Sequence, residues 1–428
     1  MQNPSFLFFG WLLPIFASAT LVGANPREQT NDDPIVLRVL TFHDPQSEAL
    51  FDLIREFEQE TGILVEMDQF RSAAMMSSEN LPEHLIEYDL VTVDEPYLLK
   101  MKPHILPYKE WPEPKIFQEA DITKNWHPKA IEFSSIEGTM LGIPVNPNVY
   151  FYTYRKDLFE DEAEREAFQM RYGYELAPPR NATEFRNIAD FFHRPPTLYG
   201  FSAIDEYSEA MTVELIWALA LFGQRLCDKN LQPVFDPAAG EKALNWYRSL
   251  IAYSPAKRTT WNYDERTTLM KNGRLAQGMF WPAFLPEVTA PASSQVSGLL
   301  GFSLGPRSSS GEPVNLSGSW TIAIPRKSTQ TEEASEFAFF WAAKDTNIGL
   351  MRRSSSINRR DMMEEEAWEH TFPWTSVYQI ALERSFSRPK HSGYHSFSQK
   401  AAALFHSFLN GDADAEETVR KLLLLGKE

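Results

Sequence analysis

The sequence predicts an α/β protein, because segments with the composition of strands alternate along the chain with segments that have the apolar spacing of helices. Ile35 to Leu40 is rich in β-branched residues and contains no breaker, so we expect a strand there. A helix follows, and Ile63 to Met67 has the composition of a second strand. Together they predict a βαβ unit with parallel strands, and Asp89 to Asp94 predicts a third strand.

Capping residues mark both ends of the first helix. Asp44 can accept hydrogen bonds from the first backbone amides, and Pro45 is tolerated in the first turn. The segment from Leu50 to Phe57 carries one apolar face, and Gly62 suits the left-handed conformation that ends a helix.

The later elements follow the same alternation. Short strands are predicted just before Trp281 and over Ser319 to Ile324. Further helices are predicted after the capping residue Asn181, over Thr212 to Phe222, from Asp236-Pro237, over Thr331 to Ala343, and from Gln399 onward with a break at Asn410-Gly411.

The stretch from Gly138 to Phe159 has the pattern of a strand that crosses between two lobes. Pro144 and Pro147 lack a backbone N–H and push the preceding residues toward extended geometry. An aromatic strand, Tyr150 to Tyr154, follows directly. A stiff, extended segment between two αβ patterns is what such a crossing needs.

The first 24 residues predict a secretory signal peptide. Phe6 to Ala24 carries no charge, and small residues near its end offer cleavage sites, so we expect cleavage after Ala24. The run also approaches membrane-spanning length, which leaves an uncleaved anchor as the alternative, although Pro14 favours cleavage. The segment departs from the usual pattern because Met1 to Ser5 contains no Lys or Arg.

Cys227 is the single cysteine, so no intramolecular disulfide can form. Its apolar surroundings predict a buried thiol. Because no cysteine lies near the predicted cleavage site, we expect a free periplasmic protein and not a lipoprotein.

Composition and missing motifs disfavour several function classes. The formal net charge of −17 argues against nucleic-acid binding, which needs a basic surface. The sequence has no Gly-x-Ser-x-Gly elbow, phosphate-binding loop, Rossmann glycine pattern or His-Glu-x-x-His helix. We therefore expect no enzyme, cofactor or metal, with a pair of glycosidase carboxylates as the remaining enzymatic alternative.

Six further segments, together with the crossing stretch, form a recognisable pattern. They are Glu56 to Val65, Tyr88 to Asp94, Met270 to Trp281, Leu316 to Pro325, Glu332 to Trp341 and Arg388 to Tyr394. In this order the segments resemble the family 1 extracellular solute-binding proteins of ABC transporters, specifically the sugar-binding type. Gln277-Gly278 departs from the family's usual small pair, and Ser319 replaces its second glycine.

The resemblance implies a two-lobed type II periplasmic binding protein fold whose discontinuous lobes are joined by a multi-strand hinge. Crossings are expected near Asn146 to Asn148, Ser317 to Ser319 and Ser356 to Asn358. The implied division is a signal peptide over 1–24, an N-terminal lobe from 35–147 and 319–356, and a C-terminal lobe from 148–318 and 357–428.

The resemblance also implies a carbohydrate site in the cleft between the lobes. A sugar presents an apolar CH face and a rim of hydroxyls, which call for aromatic platforms and paired polar groups. Asp94 could instead cap the next helix, and Arg388 could instead form a surface ion pair. The expected ligand-binding residues are Trp281, Trp320, Asp94, Asn148, Tyr97, Tyr150, His43, Asp44, Ser319 and Arg388.

The implied function is capture of a sugar or oligosaccharide by a monomer, followed by delivery to the permease subunits of an ABC importer. A polyol, a glycerophosphodiester or an osmolyte remains an alternative ligand, and a sensory role an alternative function. Ferric ion is a further alternative, because related iron binders use paired tyrosines and Tyr150, Tyr152 and Tyr154 alternate on one strand.

Overall fold

The computed structural model describes residues 34–70, 84–118, 121–256, 261–354, 357–365, 368 and 371–426. The predicted signal peptide lies outside the described residues, and so does Ser356 of the third predicted crossing.

A six-stranded sheet combines four strands from the first 149 residues with two strands from the C-terminal part of the chain. Strand β1 pairs in parallel with β2 and β3, as the predicted βαβ unit requires, and β10 runs antiparallel to β3 and to β6. β11 adds to the other end of β10 in parallel. The strands are β1 (Val36–Phe42), β2 (Leu64–Phe70), β3 (Leu90–Asp94), β6 (Ile143–Val149), β10 (Leu316–Ala323) and β11 (Phe386–Ser387).

A three-stranded antiparallel sheet lies in the other half of the described fold. β7 is its central strand and pairs with β8 and β9. A small hairpin, β4 with β5, precedes β6. The strands are β4 (Ser135–Ile136), β5 (Thr139–Met140), β7 (Phe151–Arg155), β8 (Gln277–Phe280) and β9 (Leu300–Ser303).

Helices cover both sheets. Single 3-10 turns occur at Leu85–Glu87, Glu95–Tyr97, Tyr108–Glu110, Ile251–Tyr253 and Pro282–Phe284. The helices are α1 (Pro45–Thr61), α2 (Leu98–Met101), α3 (Ile122–Asn125), α4 (Pro128–Phe133), α5 (Lys156–Glu160), α6 (Glu162–Tyr172), α7 (Ala182–Phe192), α8 (Glu209–Leu221), α9 (Pro237–Leu250), α10 (Tyr263–Lys271), α11 (Leu285–Thr289), α12 (Thr331–Ala342), α13 (Lys344–Ser354), α14 (Arg360–Met363), α15 (Thr375–Glu383), α16 (Tyr394–Asn410) and α17 (Ala415–Leu422).

The predicted caps of the first helix are confirmed. Asp44 accepts from the Ser47 amide, and the Ser47 hydroxyl in turn accepts from the Asp44 amide. Pro45 occupies the first turn, and Gly62 ends the helix with φ +73°. The predicted caps Asn181 and Asp236 also accept from backbone amides at the starts of α7 and α9.

The chain passes from the large sheet to the small one at Tyr150. β6 ends at Val149 and β7 begins at Phe151, so a single residue joins strands of different sheets. The Tyr150 amide donates to the Leu316 carbonyl, which holds this passage against β10. The predicted crossing stretch therefore does connect two sheets, and the sheet changes two residues beyond the predicted boundary at 148.

Some element boundaries differ from the sequence prediction. β10 begins at Leu316 instead of Ser319, because its first residues pair with β6 and β11. α8 begins at Glu209 instead of Thr212, capped by the Ser208 hydroxyl. Cys227 is half-buried and unpaired. In the described part of the chain, none of the helices combines the length and the hydropathy that crossing a bilayer requires.

Candidate ligand-binding site

Strand register places several predicted site residues on one face of the large sheet. Trp320 on β10 pairs with Asp94 on β3 and with Asn146 on β6, while Gly318 pairs with Asn148. Directly opposed residues of antiparallel strands point to the same face, and so do residues two apart along a strand. Asp94, Asn146, Asn148, Gly318 and Trp320 therefore share what we call the site face.

Each predicted tryptophan platform is backed by another aromatic ring. Trp320 stacks on Phe42 at the end of β1, with ring centroids 4.4 Å apart and planes 13° apart. Trp281, directly after β8 of the small sheet, stacks on Tyr150 at 4.8 Å and 25°. Both indoles are partly accessible to solvent. The two sheets thus each contribute one supported, partly exposed aromatic surface.

Tyr150 supports Trp281 from a fully buried position. Its hydroxyl donates to Glu214 Oε1 at 2.6 Å and contacts the Arg266 guanidinium. Arg266 and Glu214 form an ion pair at 3.1 Å whose side chains are each 1% exposed. Burial raises the pKa of Tyr150 well above its ordinary value, so the phenol stays protonated and donates.

Arg388 follows β11 and joins the large sheet to α8. Its Nη2 donates to Asp94 Oδ1 at 2.7 Å, and its Nη1 donates to Glu209 Oε1 at 3.0 Å. Glu209 also accepts from the Tyr394 hydroxyl at 2.5 Å and from the Ser398 hydroxyl. The Arg388 side chain is 7% exposed, so the ion pair is buried and not the surface pair that the sequence allowed.

Arg388 keeps its charge, and its Nε–H is not accepted by any described residue. Burial opposes the charge, but Asp94, Tyr394 and Glu209 raise the pKa of Arg388 well above its ordinary value. Asp94 makes no helix-capping bond, so the alternative role that the sequence left open for it is absent. Arg388 Nε is buried and has no hydrogen-bond partner among the described residues.

A chain of hydrogen bonds fixes the orientation of Asn148. Asn146 Nδ2 donates to Asp44 Oδ2 at 2.8 Å, which leaves Asn146 Oδ1 to accept from Asn148 Nδ2. Because Asn148 uses its amino group here, its carbonyl oxygen points elsewhere. Asn148 Oδ1 is buried without a hydrogen-bond partner in the described part of the chain. The site face thus has an acceptor in Asn148 as well as a donor in Arg388.

Comparison with known proteins identifies the family. The family model described as "Bacterial extracellular solute-binding protein" matches residues 52–370. The chain belongs to this family.

Relatives of this solute-binding protein include binders of sugars and polyols. It is 28% identical over 285 residues to the mannitol-binding protein of Pseudomonas aeruginosa, a match that covers 64% of this chain and 63% of that protein. A ribitol complex of a solute-binding protein from Agrobacterium radiobacter K84 aligns with TM-score 0.80 at 20% identity, covering 92% of this chain and 100% of that one.

Two further solved structures have the same fold. The D-mannitol complex of a solute-binding protein from Agrobacterium vitis S4 aligns with TM-score 0.77 at 17% identity, covering 92% of this chain and 97% of that one. A maltose-bound protein of T. maritima aligns with TM-score 0.77 at 18% identity, covering 92% and 99%. The expected two-lobed periplasmic binding protein fold is confirmed.

Three other predicted site residues do not belong to the site face. Ser319 alternates to the opposite face of β10 and is paired with Pro147. Tyr97 is 1% exposed and its hydroxyl lies 3.3 Å from His395 Nδ1. His43 contacts Gln69 at 3.0 Å and Glu48 at 3.6 Å at the end of β1. The structure brings together Trp320, Asp94, Asn148, Asp44 and Arg388 at the site face, and places Trp281 on the small sheet with Tyr150 beneath it.

Sequence reasoning missed Asn146, Glu209 and Phe42. Asn146 lies two residues before Asn148, so strand alternation on β6 offered a signal for it. Phe42 lies just beyond the predicted end of β1, where strand ends of α/β sheets approach ligands. Glu209 had no local signal, because it is 179 residues from Arg388 in the sequence.

Among the described residues no group of three or more His, Cys, Asp or Glu side chains is arranged to hold a metal ion. Tyr150 and Tyr152 are also fully buried, with their hydroxyls bonded to Glu214 and Gln277. The ferric-ion alternative relied on these two tyrosines, and both of them are buried with their hydroxyls already hydrogen-bonded within the protein.

Proposed function

We propose that this protein captures a sugar or polyol in the cleft between its lobes and delivers it to the permease of an ABC importer. One observation carries the proposal. Trp320 shares the site face with a buried unpaired acceptor, Asn148 Oδ1, and with Asp94, whose partner Arg388 has a buried unpaired donor in Nε, while Trp281 offers a second supported indole on the other sheet.

The chemistry of this arrangement suits a hydroxylated ligand. The flat indole faces can pack against the CH groups of a sugar or a polyol chain. A hydroxyl both donates and accepts, so one hydroxyl can accept from Arg388 Nε while another donates to Asn148 Oδ1. Leaving both protein groups buried and unpaired costs about 1–3 kcal/mol each, which ligand hydroxyls would recover.

The family and the named ligands of its relatives support this reading. The mannitol-binding relative and the ribitol, D-mannitol and maltose complexes all concern neutral polyhydroxylated solutes. No bond is broken in such a cycle, so the proposal includes the absence of enzymatic activity. Ligand contacts to both lobes would favour the closed form, which the permease would recognise.

The proposal keeps the expected export and domain division. We infer cleavage near Ala24, release into the periplasm without a lipid anchor, and action as a monomer. The lobes are proposed as 35–147 with 319–356 and 148–318 with 357–428.

A thermal-shift and calorimetric screen of residues 25–428 tests the function. The panel contains D-mannitol, D-glucitol, ribitol, maltose, glucose, betaine, glycerophosphocholine and ferric citrate. A ligand at about 100 times its Kd stabilises the folded state by about 2.7 kcal/mol, which raises the melting temperature measurably. A response to betaine or ferric citrate with none to any sugar or polyol would refute the proposed ligand class.

Variants then locate the binding site. Trp281→Ala and Trp320→Ala are each expected to weaken the best carbohydrate by at least about tenfold, since each removes one stacking surface. Tyr108→Ala is the matched control, because Tyr108 is a partly exposed ring that packs on Trp111 and Phe339 and not at the site face. Unchanged affinity in both tryptophan variants would place the ligand elsewhere.

A further inference from the structure

We propose that this cleft discriminates by charge: it accepts neutral polyols and sugars and their amino derivatives, and rejects analogues that carry a carboxylate or phosphate. The inference rests on the proposed function and narrows its ligand class. It decides against a glycerophosphodiester, one of the alternatives that the sequence left open.

The guanidinium at the site face is already neutralised by the protein. A free arginine would be a natural partner for a carboxylate or phosphate, because its paired N–H groups match two oxygens. Both terminal nitrogens of Arg388 are instead bonded to carboxylates, Nη2 to Asp94 and Nη1 to Glu209. Nε is the nitrogen of Arg388 that has no hydrogen-bond partner among the described residues, and its single N–H suits a hydroxyl oxygen better than a second anion.

Arg388, Asp94 and Glu209 carry one excess negative charge when both carboxylates are ionised; burial and Glu209 raise the pKa of Asp94, and Arg388 opposes that rise. Asp94 and Glu209 supply two carboxylates against one guanidinium, and the side chains of Asp94 and Arg388 are 6% and 7% exposed. Water therefore screens this excess charge poorly. An anionic group placed against Arg388 Nε would meet both carboxylates at close range.

The polar chain beside the cluster also presents acceptors. Asp44 accepts from Asn146, and Asn146 accepts from Asn148, so the chain ends in the carbonyl oxygen of Asn148. The unpaired atom at this end is therefore an acceptor with partial negative charge. A hydroxyl or an ammonium group can donate to it, whereas a carboxylate or phosphate dianion cannot.

Two cations close to Arg388 and Trp281 are already paired. Lys390, two residues after Arg388, lies 3.6 Å from Glu95 Oε1. Arg266 contacts Tyr150 beneath Trp281 and is buried against Glu214. Like charges brought together in a partly desolvated site are strongly unfavourable, so we expect discrimination of at least about 100-fold.

Calorimetry on matched neutral and acidic pairs tests the proposal. The pairs are D-mannitol with D-mannonate, D-glucitol with D-gluconate, ribitol with D-ribonate, and maltose with maltobionate; 1-amino-1-deoxy-D-glucitol tests the opposite charge. We expect the acid to bind at least about 100-fold more weakly than its neutral partner, and the amine to bind within about tenfold of D-glucitol.

The outcomes separate this inference from the proposed function. Binding of any acid within tenfold of its neutral partner, or of an acid alone, would overturn the charge selection while keeping a carbohydrate binder. No binding by any pair, together with no carbohydrate response in the thermal screen, would overturn the proposed function and this inference with it.

Two variants test the residues that set the selection. Glu209→Gln and Asp94→Asn each remove one carboxylate from Arg388. Each is expected to reduce the neutral-to-acid affinity ratio at least threefold, whatever its effect on neutral affinity. Glu332→Gln makes the same charge change in an exposed pair with Lys115 and is expected to leave the ratio unchanged. An unchanged ratio in both test variants, with native-like melting, would refute the assignment.

Discussion

A single carboxamide shows how a residue acquires a defined role from its neighbours. Asn148 could present either end of its amide to a ligand. Its orientation follows from Asp44, which, when it is ionised, can only accept. Asp44 accepts from the amino group of Asn146, so the carbonyl oxygen of Asn146 is left to accept from the amino group of Asn148. Asn146 is therefore a positioning residue, even though the proposed ligand contact belongs to Asn148.

Replacing Asn146 should weaken ligand binding through Asn148. Asn146→Leu removes both hydrogen bonds and frees the Asn148 amide to rotate, so we expect about tenfold weaker binding of the best carbohydrate. The double variant Asn146→Leu/Asn148→Ala should bind no more weakly than Asn148→Ala. Calorimetric affinities of the three variants check this, and additive losses would show that Asn146 acts independently.

Glu95 gives the protein a pH-dependent stability. It is fully buried just after β3, 3.6 Å from Lys390 Nζ. Burial raises the pKa of Glu95 to about 7, opposed by Lys390 and Arg388. The unfolded chain releases this proton near pH 4.5, so folding takes up a proton between the two values, and stability from Glu95 is lost as pH rises from about 4.5 through 7.

The variant Glu95→Gln should flatten this dependence. Between pH 5 and pH 8 the wild type should lose up to about 3 kcal/mol more unfolding free energy than the variant does, at about 1.4 kcal/mol per pKa unit. Urea denaturation at both pH values measures the difference, with the exposed Glu332→Gln as control. Parallel pH profiles for wild type and Glu95→Gln would contradict the burial argument.

At the residue scale, the sequence predicted which types of residue lie near the site better than it predicted the direction in which each side chain points. Trp281 and Trp320 were chosen because one directly follows a strand and the other lies within a strand near the expected crossing. Ser319 was chosen from the same segment, yet it points away from Trp320, because the face depends on the pairing of β10 with β6. Tyr150 was chosen as a contact but lies beneath Trp281, since only packing reveals which of two stacked rings is covered.

At the scale of elements, two glycines allow close contacts that involve β10. Gly318 lies on β10 itself, and Gly142 lies against its backbone. A Cβ atom on Gly318 would lie 3.0 Å from Arg388 Nη2, so Arg388 crosses the strand where no side chain stands. A Cβ atom on Gly142, just before β6, would lie 2.0 Å from the Ile322 carbonyl oxygen of β10. The first neighbour is a flexible side-chain end, and the second is backbone.

The same substitution should therefore have different effects at the two glycines. Gly318→Ala displaces Arg388 and should weaken ligand binding by about tenfold while costing less than about 1 kcal/mol of stability. Gly142→Ala forces β6 and β10 apart and should cost about 3 kcal/mol or more. Urea denaturation and calorimetry measure both effects; a larger stability loss at Gly318 than at Gly142 would contradict this account.

Elements with caps and clear periodicity could be predicted from the sequence. α1, α7 and α9 begin at capping residues that the sequence shows directly, and Asn410-Gly411 ends α16 as expected. β11 was not predicted, because it has only two residues and exists through its pairing with Leu316 and Ser317. Short strands of this kind depend on partners distant in the sequence.

At the scale of the whole molecule, the site is assembled from distant segments. Asp94 and Arg388 are 294 residues apart, and Glu209 lies between them in the sequence. The family resemblance predicted a cleft, but the ion network that neutralises Arg388 has no sequence pattern. The charge of the proposed site could therefore be derived only from the fold.

Because the two tryptophans belong to different sheets, a ligand that stacks on both should couple binding to lobe closure. Small-angle scattering should show a smaller radius of gyration for the wild type when the best carbohydrate saturates it. In Trp281→Ala the ligand keeps the site face but loses its contact with the small sheet. The ligand then prefers the closed form over the open form by less, so the saturated variant should become less compact than the saturated wild type. Tyr108→Ala, which leaves both platforms intact, should compact as the wild type does. Equal compaction of saturated Trp281→Ala and wild type would show that closure is driven by contacts other than the Trp281 platform.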